Sequence, residues 1–162
     1  MSLFRLTTCS VLAALSFSGC GFQMPGAFTV PEGMQRTYIQ SADTFSLFYR
    51  ALRTELQAAG VNVVDSIDDA TAVFIIYHDN TGQRVLSVSA RNVPTEYEVF
   101  YTIEYGLQSG NVSLLEVQDM TVTRDYTYDA TLVLGKAKEE ELMRNAIVED
   151  LVRIVLKQIS VQ

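Results

Sequence analysis

The sequence has few of the residues that build metal centres and disulfide frameworks. Its 162 residues include only two cysteines, and His78 is the only histidine. A structural zinc site takes four cysteine or histidine ligands, and a disulfide framework needs pairs of cysteines. We therefore expect no metal site, no cofactor and no structural disulfide, so that an apolar core must hold the fold together.

Sequence patterns of catalysis are scarce as well. Ser87 and Ser89 lack the Gly-x-Ser-x-Gly setting of a nucleophilic serine, and no glycine-rich loop that could hold a phosphate is present. The run Glu139-Glu140-Glu141 falls at the start of a predicted helix, where the positive end of the helix dipole stabilises carboxylates. Such a run is therefore typical of a solvated helix start and not of a catalytic site. His78 follows an apolar stretch and fits a turn or a structural role. We predict that the protein is not an enzyme.

Basic residues are outnumbered, which limits the partners that the chain can bind. Lysine and arginine total 12 against 19 aspartates and glutamates, a net charge of −7. A domain this acidic is a poor general binder of nucleic acid or of an anionic membrane surface. Any phosphorylated partner must therefore be met by a local group of cations. Three prolines, no biased segment and no internal repeat indicate an ordered domain.

The first twenty residues have the order of an export signal. Arg5 closes a short basic start, an apolar run follows, and the small pair Ser18-Gly19 precedes Cys20. An apolar run of about 7–15 residues is typical of a signal peptide and is too short to span a bilayer. Ser18-Gly19-Cys20 looks like a bacterial lipobox, although Phe17 stands where leucine is usual.

We therefore predict a lipoprotein signal peptide over residues 1–19, with acyl chains attached to Cys20. The alternative is an ordinary secretory signal in which this cysteine is incidental. Removal of the signal also removes Cys9, which leaves Cys20 as the only cysteine. Gly21 follows the cysteine, and in lipoproteins of this kind that favours the outer membrane. Residues 20–33 are predicted to be a lipidated anchor and extended lead, and residues 34–162 a single periplasmic domain.

Hydrophobic periodicity predicts the secondary structure of that domain. The strands are expected at residues 34–40, 61–64, 72–77, 85–90, 96–107 and 115–128, and the helices at residues 45–59 and 136–159. Asp43 is expected to cap the first helix and Gly60 to end it, and a turn is expected at residues 79–82. The buried stripe of the second helix is predicted to contain Leu142, Met143, Ala146, Ile147, Leu151, Ile154 and Val155.

These elements predict the fold class. The order of these elements favours an α+β two-layer sandwich, in which two helices pack on one face of a mostly antiparallel, four- to five-stranded sheet. The alternation of Tyr97, Val99, Tyr101, Ile103, Tyr105 and Leu107 with polar residues marks the clearest strand. The other face of the sheet is then expected to be uncovered.

A few cations at predicted turns are the remaining candidates for a binding site. Arg91 follows a strand, and Lys136 and Lys138 stand at the turn into the last helix. If the two strands before these turns run in the same direction, the turns lie at one end of the domain. The alternative is that these residues are ordinary surface charge.

Several short stretches, spread over nearly the whole chain from Cys20 onwards, are similar to those of one known family. They are Cys20-Gly21-Phe22, Pro31 three residues before Met34, residues 50–61, residues 87–98 and residues 124–141. In this order and spacing they resemble the LptE family of outer-membrane lipopolysaccharide-assembly lipoproteins.

The resemblance implies a function that the residues by themselves do not. A member of this family is expected to plug a β-barrel lipopolysaccharide translocon subunit, LptD, to help it assemble, and to help deliver lipopolysaccharide to the outer leaflet. The basic residues that the family uses towards lipopolysaccharide fall on Arg91 and Lys136, and Lys138 stands beside them. Two alternatives stay open: an auxiliary binding domain of another envelope lipid-transport complex, and a lipid- or cell-wall-modifying enzyme.

Overall fold

A computed structural model of the chain describes residues 29–127 and 133–161. Its elements in chain order are β1 (Arg36–Ser41), α1 (Leu47–Ala58), β2 (Asn62–Val64), a 3-10 turn (Ile67–Asp69), β3 (Ala72–Val88), β4 (Pro94–Ser109), β5 (Val112–Thr127) and α2 (Val133–Ile159). None of the helices in the described ranges is long and apolar enough to cross a membrane.

The strands form one mixed sheet in the order β2-β1-β3-β4-β5. Strand β1 pairs in parallel with both β2 and β3, because α1 provides the long crossover that parallel neighbours require. Strands β3, β4 and β5 form a long antiparallel meander that contributes most of the paired residues. The predicted α+β sandwich, with two helices on one face of a five-stranded sheet, is confirmed.

The core lies between the sheet and the two helices. Its fully buried side chains include Phe48, Leu52, Leu56, Phe74, Tyr101, Ile103, Tyr105, Leu107, Ile147, Leu151, Val155 and Ile159. Alternate residues of β4 supply the sheet side of this core, so the alternation predicted for that strand is confirmed. The opposite face of the sheet is not covered by either helix.

The expected turn at residues 79–82 is wrong. Strand β3 continues through this stretch, where Asn80, Thr81 and Gly82 lie opposite Thr102, Tyr101 and Phe100 of β4. Turn-forming residue types were overridden by the ladder to a long partner strand. A Cβ added at Gly82 would lie 2.9 Å from Cζ of Phe100, so the glycine makes room for that ring. A register shift between Ile76 and His78 is the only break near this stretch of the described β3–β4 ladder.

The predicted start of α1 is also wrong. Ser46 caps the helix, and its Oγ accepts a hydrogen bond of 3.1 Å from the Tyr49 amide. Asp43 instead accepts from the Phe45 amide at 2.8 Å and forms a turn before the helix. Phe45, expected on the buried face, is 83% exposed as a result. The predicted end is confirmed, since Gly60 follows the helix with a φ of +87°.

The buried stripe of α2 differs from the predicted one by a rotation of the helix. Leu142 and Ile154 are 57% and 39% exposed, whereas the side chains that pack inward are Ile147, Val148, Leu151, Val152, Val155, Leu156 and Ile159. The helix carries apolar residues around most of its C-terminal half, so periodicity alone leaves the inward direction open. The positions of α1 and the sheet determine it.

A partly buried polar cluster links the start of α1 to the sheet. The Asp79 carboxylate accepts hydrogen bonds of 2.5 Å from both the Ser46 and Tyr101 hydroxyls. The Tyr101 oxygen in turn accepts from the Phe48 amide at 3.3 Å. Burial, and then the bond to Asp79, raises the pKa of Tyr101. This cluster therefore sets the position of the helix along β3 and β4.

A second buried tyrosine gives a testable pH dependence. Tyr105 donates its hydroxyl to Gln158 of α2, and burial raises the pKa of Tyr105 to about 12. Because its unfolded value is about 10, the folded state holds its proton more tightly. Stability should be full below about pH 10 and fall as the pH rises towards 12. Urea unfolding followed across this range should show the fall.

The variant Tyr105→Phe provides the control for this prediction. It removes the ionisable hydroxyl while keeping the ring that stacks on Phe74, with ring centroids 5.7 Å apart. We expect a shallower loss of stability at alkaline pH in this variant. An identical slope in the variant and the parent protein would show that Tyr105 does not contribute to the alkaline unfolding.

Candidate functional site

The candidate site lies at one end of the sheet, which we call the distal end. Here β3 ends and β4 begins, with Val88 opposite Pro94, and β5 ends beside them, with Thr127 opposite Glu96. Strands β3 and β5 both run antiparallel to β4 and so share one direction. The two strands that precede the Arg91 turn and α2 therefore run in the same direction, as the sequence-based expectation required. The turn that carries Arg91 and the start of α2 belong to the same end.

A tight turn over residues 89–93 presents Arg91 at its tip. The Ser89 amide donates to the Val93 carbonyl at 2.8 Å, and the Asn92 amide donates to the Ser89 carbonyl at 2.9 Å. Asn92 adopts a positive φ of 59°, a conformation that asparagine tolerates better than most residues. Arg91 is exposed, and no carboxylate of the described residues forms an ion pair with it. Its five donors remain available for an anionic ligand.

Aliphatic side chains surround this turn. Val85, Leu86, Val88 and Val93 are 47%, 45%, 53% and 46% exposed. Neighbouring exposed apolar residues of this kind commonly mark a surface that contacts another molecule or a lipid. Residues 85–90 were predicted only as a strand, so this apolar surface was not expected from the sequence. Two adjacent apolar residues, Val85 and Leu86, were the available signal, since a strand with one covered face would expose only one of them.

The other arginine of the β3–β4 hairpin is already paired. Arg84 forms an ion pair with Glu98, and its guanidinium lies 5.9 Å from the centroid of the Phe100 ring. Glu96 accepts a hydrogen bond of 2.7 Å from the Ser87 hydroxyl. These contacts leave Arg91 as the cation of the β3–β4 hairpin that is free to bind an anion, with acidic neighbours that discourage non-specific binding.

An aromatic stack supports the base of the hairpin. The Tyr97 and Tyr126 rings are stacked with their centroids 5.6 Å apart, and the Tyr126 hydroxyl donates to Gln83 at 3.2 Å. This joins β4 to β5 and β5 to β3 just below the turn. Stacked aromatic pairs of this kind add about 0.5–1.5 kcal/mol beyond their buried area. The stack therefore holds the distal end on a rigid base.

The other site residues predicted from the sequence have different positions. Lys138 is exposed near the start of α2 and pairs with Glu141 at 3.0 Å, so its charge is partly neutralised. The predicted start of α2 at residue 136 is wrong: the helix begins at Val133, so Lys136 and Lys138 lie within it and not at a turn. The side chain of Lys136 lies outside the described residues. Cys20 also lies outside them. Within residues 29–127 and 133–161, no three His, Cys, Asp or Glu side chains are grouped so that they could hold a metal ion.

Comparison with known proteins identifies relatives along most of the chain. The family model described as LptE, lipopolysaccharide-assembly, matches residues 34–159. The LPS-assembly lipoprotein LptE of Yersinia enterocolitica serotype O:8 / biotype 1B is 26% identical over 151 residues, which cover 90% of this chain and 72% of the relative. The protein of the same name from Pectobacterium atrosepticum is 23% identical over 150 residues, covering 91% of this chain and 80% of the relative.

Solved structures share the same fold. The solution NMR structure of lipoprotein B from Nitrosomonas europaea has a TM-score of 0.71 and 26% identity, and the match covers 86% of this chain and 90% of that one. Rare lipoprotein B from Shewanella oneidensis has a TM-score of 0.67 at 22% identity, with 77% and 93% covered, and it supports the fold alone. Because the family model spans most of the chain, including both helices and all five strands, this chain belongs to the LptE lipopolysaccharide-assembly family.

Proposed function

We propose that this chain is a non-catalytic outer-membrane lipoprotein that assembles with a β-barrel lipopolysaccharide translocon subunit of the LptD kind. It plugs the barrel and helps deliver lipopolysaccharide to the outer leaflet. Family membership and the names of the relatives, LPS-assembly lipoprotein, support this role. The domain faces the periplasm and is held at the membrane by acyl chains on Cys20.

The observation that carries the proposal is the combination of groups at the distal end. An unpaired arginine stands at the tip of the β3–β4 turn, with exposed aliphatic side chains on both sides of it. Lipopolysaccharide presents phosphates beside acyl chains, so the two kinds of group meet complementary partners. Arginine binds phosphate through short, charge-assisted and often bidentate hydrogen bonds. Lys136 joins Arg91 in this role, because α2 begins at the same end of the molecule.

The proposed mechanism is binding alone. Arg91 and Lys136 hold phosphate groups of the lipid, the aliphatic residues around the turn contact its acyl chains, and the remaining apolar surface packs against the barrel. Arg91 binds ligand without rearrangement of the fold, since the stacked tyrosines hold the hairpin from below. Lys138 contributes long-range attraction, reduced by its pairing with Glu141.

Affinity purification of the full chain from membranes tests the partner and the anchor together. We expect a β-barrel outer-membrane protein of the lipopolysaccharide translocon to co-purify with the parent protein and to be identified by mass spectrometry. The variant Cys20→Ala should shift the protein towards an unprocessed or soluble form, because the acylation site is lost while the apolar core is kept. Membrane fractionation in cells lacking the barrel gives the cleaner reading, since barrel contacts then retain no protein.

Two results would contradict the proposal, one for the partner and one for the anchor. Co-purification with an inner-membrane transporter would assign the chain to another lipid-transport complex. Unchanged outer-membrane attachment of the Cys20→Ala protein, in cells without the barrel, would rule out acylation as the sole tether.

A further inference from the structure

The outer edge of β5 is a long strand edge with no neighbouring strand among the described residues. Strand β5 lies last in the order β2-β1-β3-β4-β5 and pairs only with β4. The strand at the other edge, β2, has 3 residues, whereas β5 has 16. Apart from the ladder to β4, no backbone hydrogen bond within residues 29–127 and 133–161 joins β5 to another element. Such an edge presents N–H and C=O groups that an added strand can bind.

This edge lacks most of the features that usually protect an exposed strand edge. Natural edges carry lysine or proline, are interrupted by bulges, or are very short. Residues 112–127 contain no lysine and no proline. Register shifts interrupt the ladder to β4 before Gln118, but from Gln118 to Thr127 the pairing continues without a break. Residues 118–127 are therefore long and regular enough to accept a partner strand.

One face of this stretch belongs to the core layer. Helix α2 contacts it through side chains, since Arg124 pairs with Asp150 at 2.6 Å. Met120 and Val122 lie on the same face, are half-buried and pack against the core. A cavity of about 380 Å³ opens at the beginning of the stretch and is lined by Ser113, Leu114, Leu115, Glu116 and Gln118. Apolar side chains of an added strand would extend the core on this face, and one of them can enter the cavity.

The other face of the stretch is acidic. Asp119 and Asp125 are exposed and form no ion pair within the described residues. On β4, Glu104 lies directly opposite Asp119 and has no ion-pair partner in the described chain either. Glu98 lies opposite Asp125 and is neutralised by Arg84. Like charges directly opposite on neighbouring strands repel, so a cation on a strand beside β5 would relieve this repulsion.

We propose that residues 118–127 bind an extended segment of another protein, which adds to the five-stranded sheet along β5. The segment alternates apolar residues, on the face that carries the core, with lysine or arginine, on the acidic face. A second copy of β5 does not fit, because its own acidic face brings two more carboxylates, Asp119 and Asp125, and no cation. The proposal uses none of the charges assigned to lipopolysaccharide, so it is independent of that role.

A designed ten-residue peptide that alternates valine with lysine tests the proposal. The peptide is capped at both ends, carries a fluorophore and is titrated with the full chain while fluorescence anisotropy is followed. We expect saturable binding, at least about tenfold tighter than that of a scrambled peptide of the same composition. N-methylation of one alternating set of peptide amides should abolish binding, and methylation of the other set should not. The reason is that a strand added at an edge bonds through only one of its two sides.

A charge swap tests the predicted polarity of the partner. Asp119→Lys, Asp125→Lys should bind the lysine peptide at least about tenfold more weakly at low salt, because attractive contacts become repulsive. The same variant should gain binding to a peptide with glutamate in place of lysine. Asp68→Lys, Asp69→Lys changes the net charge equally in the exposed 3-10 turn after β2, and should bind like the parent protein.

Three results would overturn the proposal: no saturable binding to the parent protein, equal binding of the two methylated peptides, or a folded charge-swap variant that binds like the parent. Circular dichroism checks the fold of the variant. The methylated peptides are measured on the parent protein, so that test stands even if the variant fails to fold. Dimerisation of the parent protein that competes with the peptide would assign the edge to a second copy and would also overturn the proposal.

Discussion

Replacing Arg91 and Lys136 together by aspartate is expected to weaken lipopolysaccharide binding at least tenfold. Each hydrogen bond to a charged group contributes roughly 1.5–3 kcal/mol, and about 1.4 kcal/mol corresponds to a tenfold change in affinity. Reversing the charge adds repulsion of the phosphate to the lost contact. The deficit should shrink as salt rises, because exposed charges are screened over about 8–10 Å at physiological ionic strength.

The fold should tolerate these changes. Arg91 is exposed at the tip of a turn and forms no ion pair within the described residues. Surface substitutions of this kind usually change the free energy of unfolding by no more than about 0.5 kcal/mol. The variant should therefore unfold at nearly the same denaturant concentration as the parent protein and still co-purify with the barrel.

Arg36→Asp is the matched control for this experiment. Arg36 is also exposed and unpaired among the described residues, but it lies at the first position of β1, at the end of the sheet opposite the distal turn. It changes the net charge by the same amount per residue, so it reports the effect of general electrostatics. Affinity should be measured at low and at physiological salt. Unchanged affinity in a folded Arg91, Lys136 double variant would identify both residues as plain surface charge.

Truncation of Leu151 to alanine should lower the free energy of unfolding by about 2–5 kcal/mol. Leu151 is a fully buried residue of α2 and belongs to the apolar core. The loss combines the transfer free energy of the removed atoms with the cost of the cavity, because close-packed neighbours relax only partly. Since whole domains are stabilised by only about 5–15 kcal/mol, this single change removes a large part of the total.

Ile154→Ala on the same helix serves as the control. The sequence pattern placed both residues on one buried stripe, whereas the structure leaves Ile154 39% exposed. We expect its truncation to cost well under half as much as that of Leu151, because less area returns to water and no closed cavity forms. Urea unfolding of both variants decides between the two orientations of α2. Equal losses would show that the helix is rotated towards the orientation predicted from the sequence.

The elements that were predicted well are those with strong local periodicity. Strand β4 alternates apolar and polar residues along its length, and one face of it forms the sheet side of the core. Helix α1 has a clear apolar stripe of Phe48, Leu52 and Leu56 and ends before a glycine, so its burial and its C-terminus were both predictable. In these cases each residue's local preference agrees with its tertiary surroundings.

The wrong predictions share one physical cause. Asn80 and Gly82 have turn propensity, and Asp43 is as good a helix cap as Ser46 when judged by residue type. Strand pairing with Phe100 and Thr102 overrode the first preference. The bond from Ser46 to Asp79, a residue 33 positions away, favoured the second cap. Contacts that are distant in sequence decided each case, and no local pattern contains them.

The candidate site was likewise predicted only in part. Composition and spacing were enough to single out Arg91, Lys136 and Lys138 as candidate cations, and family resemblance attached a ligand to them. Only Arg91 lies at a turn, because α2 begins before both lysines. Only the strand directions placed the Arg91 turn and the start of α2 at one end of the molecule. Only the packed structure showed that Lys138 is paired with Glu141 and that exposed aliphatic residues flank the turn.

The α+β class and the family followed from the sequence alone, because these depend on residue periodicity and on the order of short motifs. The tertiary structure decided the length of the β3–β4 hairpin, the rotation of α2, and which charges are free. It also placed β5 at the edge of the sheet, with no neighbouring strand on its outer side among the described residues. Pairing of distant strands and close packing of helices determine these features, and neither is encoded in a local stretch of the chain.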